Sequence, residues 1–201
     1  MLKRQFLAKS CCAAFLLTIL SLAAPASGAA QDKGDIETID ATAMGTSTQM
    51  GRVGNVKIQI ERYSSPEERQ TLVDAFLKGK NDGLVKALSK MRPAGRISLP
   101  GTVGYQLAFV REIPTSTGRR IRFVTDRKIA FGEAYRSTRS KDYSLTAGEF
   151  DLNDKDPNKS TGVLYPAARF IINSDRELEI ELYQNPWKLN NVLEWSKKDK
   201  H

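Results

Sequence analysis

Histidine and cysteine are almost missing from these 201 residues. The single histidine is His201, at the last position, and the two cysteines are the adjacent Cys11 and Cys12. Ser-His and Cys-His nucleophilic systems need a base held inside the fold, which a histidine at the end of a charged tail does not supply. Zinc sites built from His and Cys fall by the same count. Neither a GxxxxGK[ST] phosphate loop nor a dinucleotide GxGxxG occurs, and no serine stands three residues ahead of a lysine. These absences remove most common enzyme designs, and no cofactor or metal is expected.

Paired carboxylates are the catalytic chemistry that remains. Glu133, Asp142, Glu149 and Asp151 fall on or near loops, and two of them at a suitable separation would serve as acid and base on a glycosidic bond. No spacing among them selects a pair, so no catalytic residue is assigned. Calcium is tested by the acidic stretch that follows. Counting from Asp154, Asp156 and Asn158 suit the first oxygen-ligand positions of an EF-hand loop, but Lys159 stands where glycine is needed and Tyr165 where the bidentate glutamate belongs. An Asx-rich turn is expected there instead.

The amino-terminal thirty residues read as a secretion signal. Lys3, Arg4 and Lys9 precede an uncharged, mostly apolar run of fourteen residues, Cys11 to Ala24, and Pro25 with small residues up to Ala30 offers cleavage sites. Fourteen helical residues span roughly 21 Å, short of the hydrocarbon thickness of a bilayer of about 30 Å, so a cleaved signal is expected in place of an anchor. The sequence therefore predicts a signal over 1–30, a flexible leader over 31–37, a single domain over 38–196 and a frayed charged tail over 197–201. The expected location is periplasmic or extracellular. Both cysteines leave with the signal, and the domain must hold together through its core alone.

Within the domain, Ile39, Ala41 and Ala43 alternate with polar residues, as do Val56, Ile58 and Ile60, which predicts an N-terminal hairpin. Ser65-Pro66-Glu67-Glu68 supplies an N-cap, a proline at the first helical position and a glutamate three residues after the cap. Ser65 is the expected cap and Ser64 is expected to matter little. Leu72, Val73, Phe76 and Leu77 then recur at helical spacing up to Gly79, and Leu84, Val85, Leu88 and Met91 form a second stripe ended by Pro93 and Gly95. Strands return after Ile97: a hairpin over Gly104–Asp126, a short strand at 129–132, a strand over Leu145–Leu152, a strong one over Val163–Ile172 and one through Leu178, Ile180 and Leu182. Pro166 cannot donate a ladder hydrogen bond and marks an edge or a bulge. Leu189, Val192, Leu193 and Trp195 fold back over the core. The expected class is α+β, mainly an antiparallel, curved or partly closed sheet with one inserted helical hairpin. Periodicity does not fix strand count or closure, which leaves a closed barrel with a ligand cavity open as an alternative.

Positive charge is regional. Between Arg111 and Lys141 nine Lys or Arg face three acids, out of a formal net charge of +8 for the chain. Arg119, Arg120, Arg122, Arg127, Lys128, Arg136, Arg139 and Lys141 are the candidate anion-binding residues, interleaved with aromatics such as Phe123 and Tyr135. The partners they suit are anionic lipid, acidic polysaccharide or an acidic protein surface, and export makes nucleic acid an unexpected one. The competing reading is that Arg120 and Arg122 face Glu179 and Glu181 across strands and are neutralised there. The function expected is a domain that binds or interacts through this basic face, with a carboxylate-dependent hydrolase acting on cell-envelope polymer as the alternative.

Overall fold

The computed structural model describes residues 36–100, 102–129, 142–172 and 178–195. The expected signal (1–30), most of the leader, the tail (197–201), Glu133 and the strand expected at 129–132 beyond Ile129 lie outside them. The alternation read at the start holds: β1 (Glu37–Met44) buries Ile39, Ala41 and Ala43, and β2 (Val53–Ile60) buries Val56, Ile58 and Ile60. They pair antiparallel with Ile39 opposite Ile58 and Ala41 opposite Val56, so the two apolar rows share one face. The other strands are β3 (Gly95–Ser98), β4 (Tyr105–Pro114), β5 (Gly118–Thr125), β6 (Leu145–Asn153), β7 (Thr161–Ile172), β8 (Leu178–Leu182) and β9 (Trp187–Trp195).

The sheet does not stay curved or partly closed; it closes. The strands follow the order β6-β5-β4-β3-β2-β1-β9-β7, and β7 pairs again with β6, giving a ring of eight antiparallel strands with β8 attached to the far half of β7. Irregularities in register make this bend. One falls at Ala108 on β4, one at Pro166 opposite Thr146 where β7 meets β6, and one at Asn191 on β9, whose φ of 50° is left-handed. A bulge increases local twist, and closure removes the exposed edges that an open sheet of these strands would leave. Pro166 thus occupies a bulge, and its carbonyl accepts the Thr146 hydroxyl at 2.6 Å.

Side chains fill the ring. Ile39, Ile58, Ile97, Leu107, Ile121, Phe123, Phe150, Leu164, Trp187 and Leu189 form one buried cluster. The rings of Phe123 and Phe150 lie 6.0 Å apart, and each covers a glycine. A Cβ on Gly148 would run into the Phe123 ring, and one on Gly162 would lie 2.9 Å from Phe150. An eight-stranded barrel is just wide enough for such filling. Outward positions carry Thr38, Asp40, Asn55, Lys57, Gln59 and Arg96. On β1, β2 and β3 apolar inside and polar outside is the reverse of a wall that faces lipid, whereas outward Leu193 and Trp195 on β9 are apolar and exposed.

The helical segment α1 (Pro66–Leu88) starts as expected. Ser65 accepts the Glu68 backbone NH while the Glu68 carboxylate accepts the Ser65 NH, a complete capping box. The break falls at Lys80, with φ 51° and ψ −144°, and not at Gly79. The second arm returns so closely that a Cβ on Gly83 would strike the Ala75 carbonyl oxygen. Leu72, Phe76, Leu84 and Leu88 pack on the outer wall against Ala108, Leu145, Phe109, Val124 and Phe170. Val73 and Leu77, expected in the stripe, stay exposed. The bulge at Ala108 explains why Phe109 belongs to this outer layer: it breaks the parity that would have kept Phe109 with Leu107.

Candidate functional site

The parity of β5 sorts the basic candidates into different surroundings. Arg120 and Arg122 point outward, and the register sets Arg120 opposite Asp151 and Arg122 opposite Glu149 on β6. Nε of Arg120 donates to Asp151 Oδ1 at 2.5 Å and Nε of Arg122 to Glu149 Oε2 at 3.0 Å. Glu179 and Glu181 are not their neighbours, because β8 lies beyond β7. The Glu181 carboxylate is taken by Arg169 and by the Tyr143 hydroxyl, whose bonds hold it below the usual carboxylate range. Arg127 is exposed and bonded to its neighbour Asp126, and Lys128 follows it at the end of the barrel where β5 finishes. Arg136, Arg139 and Lys141 lie outside the described residues.

On the other side of β5, Arg111 of β4 is directly opposite Arg122. Arg111, Arg122 and Glu149 form one outward row, and Ile113, Arg120 and Asp151 form the next. Three guanidinium groups therefore share two carboxylates on this wall. Arg111 is exposed and makes no ion pair among the described residues.

Arg119 has a different setting. Inward parity carries it into the mouth of the barrel, where it meets Glu37 at the start of β1, Glu112 near the end of β4 and Glu194 near the end of β9. Its Nη2 donates to Glu37 Oε1 at 3.0 Å and to Glu194 Oε1 at 2.5 Å, and its Nη1 to Glu112 at 2.7 Å and to the Tyr63 hydroxyl at 3.2 Å. The side chains of Arg119 and Glu37 are 21% and 13% exposed and those of Glu194 and Glu112 33% and 38%, so one cation holds three carboxylates, of which Glu37 is sheltered and the other two reach solvent. Burial pushes the Glu194 carboxyl up, the Arg119 charge opposes that, and the Glu37 charge adds to it. Burial and the bond to Glu37 also raise the Tyr63 phenol. Burial alone would lower Arg119, but its bond to Glu112 and the charges of Glu37, Tyr63 and Glu194 leave it above its usual range.

None of Glu37, Tyr63, Glu112 and Glu194 stands out in the sequence, and Glu37 falls in the expected leader. A signal was present all the same: Glu37, Glu112, Arg119 and Glu194 each share the parity of the buried residue two positions away, Ile39, Val110, Ile121 and Val192. A charged residue on the apolar parity at a strand end marks a barrel mouth.

Of the acids considered for hydrolysis, Glu149 and Asp151 are the partners of Arg122 and Arg120, and Asp142 is exposed. The expected Asx turn is present. The Asn153 carboxamide oxygen accepts the backbone NH of Lys155 and Asp156, and the Asp156 carboxylate accepts that of Asn158 and pairs with Lys159. Among the described residues no group of three or more His, Cys, Asp or Glu is arranged to hold a metal ion, and no helix is long and apolar enough to cross a membrane. Comparison with protein-family models, with curated proteins and with solved structures finds no match.

Proposed function

We propose that this chain is an exported, non-catalytic binding domain that engages an anionic partner through the outer wall of β4 and β5. The observation that carries the reading is the placement of Arg111 opposite Arg122. Like charges directly opposite across two strands destabilise the pair, and Glu149 offsets one of the two. A sulfate, phosphate or carboxylate group laid between the guanidinium planes would relieve that repulsion by charge-assisted bonding. The filled barrel supports the same view, since it directs recognition to the outside. Anionic lipid, acidic polysaccharide and an acidic protein surface all present such groups.

The test is retention on a heparin-like support. Arg111→Gln with Arg122→Gln should fold normally by circular dichroism and elute at clearly lower salt than the unmodified chain, whose own retention should fall as salt rises. Equal elution of the two proteins would overturn the reading. A carboxylate-dependent hydrolase is the second reading, and it would rest on Glu37 and Glu194. They bond one nitrogen of Arg119, and Glu194 is the member pushed towards its protonated form. Release of sugar from envelope polymer, abolished by Glu194→Gln, would favour it over the first.

A further inference from the structure

At the end of the barrel away from the Arg119 cluster, the turn between β1 and β2 displays large apolar side chains to solvent. Met44 closes β1 and is directly opposite Val53, which opens β2, and on its other side Met44 is opposite Lys188 of β9. Met50, at the tip, is 80% exposed, Val53 63% and Met44 43%. Single exposed apolar residues need no explanation, but three on one hairpin tip do. Arg52 and Lys188 are exposed among them, and neither has an acid partner among the described residues. The next outward pair along the strands, Thr42 and Asn55, is uncharged, and the nearest acid on β1, Asp40, is already paired with Lys57 at 3.6 Å. The tip is thus apolar with a cationic collar.

It is also held in shape before any partner arrives. Gly45 NH donates to the Arg52 carbonyl, Met50 NH to that of Ser47 and Arg52 NH to that of Gln49, while the Thr46 hydroxyl donates to the Pro186 carbonyl. Gly51 takes a φ of 86° that a side chain would strain. A preformed contact loses little chain entropy on binding.

We infer that this tip docks on the surface of an anionic bilayer, with Met50 and Val53 entering the headgroup region and Arg52 and Lys188 meeting lipid phosphates. An anionic membrane surface offers the matching pair of features, an apolar layer beneath a negative one, and both are used by proteins that lie on membranes without spanning them. The polar outward residues of β1 and β2 beyond the tip, Thr42, Asn55, Asp40 and Lys57, keep the rest of that hairpin out of the lipid. The inference is independent of the arginine wall, which lies on other strands.

The experiment reads the tip locally, so that neither the apolar 11–24 stretch nor the wall confuses it. In Met50→Trp, with the unmodified chain as background, the added indole should shift to the blue and be quenched by brominated lipid in vesicles of phosphatidylcholine with phosphatidylglycerol. Vesicles of phosphatidylcholine alone should give much less, and Arg52→Gln or Lys188→Gln should weaken the response about fivefold each. Val53→Trp should report the same if Met50→Trp disturbs the turn. Chain bound to vesicles with the indole in both variants unquenched, an equal response to neutral vesicles, or a response to soluble glycerol phosphate equal to that of vesicles would each overturn the inference. So would a response produced only by an added protein extract.

Discussion

Glu194 couples this fold to pH in the opposite sense to its other shifted carboxylates. Its pKa in the folded chain lies above its ordinary value of 4.5, so between those two values the folded chain holds a proton that the unfolded chain has released. Stability therefore falls as pH rises through that window and returns on acidification. Glu68, lowered by its bond to Arg62, and Glu181 work in the opposite sense and lose their contribution as pH falls below 4.5. In Glu194→Gln the downward slope of stability above about pH 4.5 should disappear while the loss at lower pH remains, measured as denaturant midpoints across the pH range. An unchanged slope would remove Glu194 from this role. Two adjacent serines make a second test. Ser65→Ala should cost about 1 kcal/mol, the usual worth of an N-cap. Ser64→Ala should cost a similar amount and not little, because the Ser64 hydroxyl accepts the backbone NH of Val110 on β4 at 3.1 Å and its loss leaves that donor unbonded. The cap was legible in the sequence since its partner stands three residues away. The bond to Val110 was not, since its partner stands 46 residues away.

Among the elements, those built from local contacts were readable and those built from pairing were not. The start of α1, the parity of β1, β2 and β5 and the Asx turn after β6 follow from neighbouring residues. The break in α1 shifted by one residue to Lys80, whose backbone conformation suits glycine. Lys80→Gly should consequently stabilise the protein by up to about 1 kcal/mol, a gain visible as a higher midpoint in urea. The bulge at Ala108 moved Phe109 to the outer layer, and no local pattern announces a bulge of that kind. Glycines inside the ring carry a related prediction. Gly148→Ala should destabilise the barrel by roughly 1–3 kcal/mol, because the new methyl group meets the Phe123 ring and the Val163 carbonyl and neither has room to retreat. A neutral result would mean that the interior is looser than its packing indicates.

For the whole molecule, stability rests on the filled barrel and its outer helix, and no cysteine lies among the described residues. The melting temperature of the chain should be the same with and without reductant, by differential scanning calorimetry; a fall under reductant would mean that Cys11 or Cys12 contributes to the fold. The sequence by itself determined the order and kind of most elements and which residues of each strand share a face. Those properties depend on residues one to four positions apart, where backbone geometry leaves few choices. Only the tertiary structure decided that the sheet closes, that Arg120 and Arg122 meet Asp151 and Glu149, and that Arg119 gathers Glu37, Glu112 and Glu194 at the barrel mouth. A period of two tells which way a side chain points. Which strand lies beside it is set by pairing between distant segments and by the bulges that bend them into a ring, and these are properties of the assembled chain.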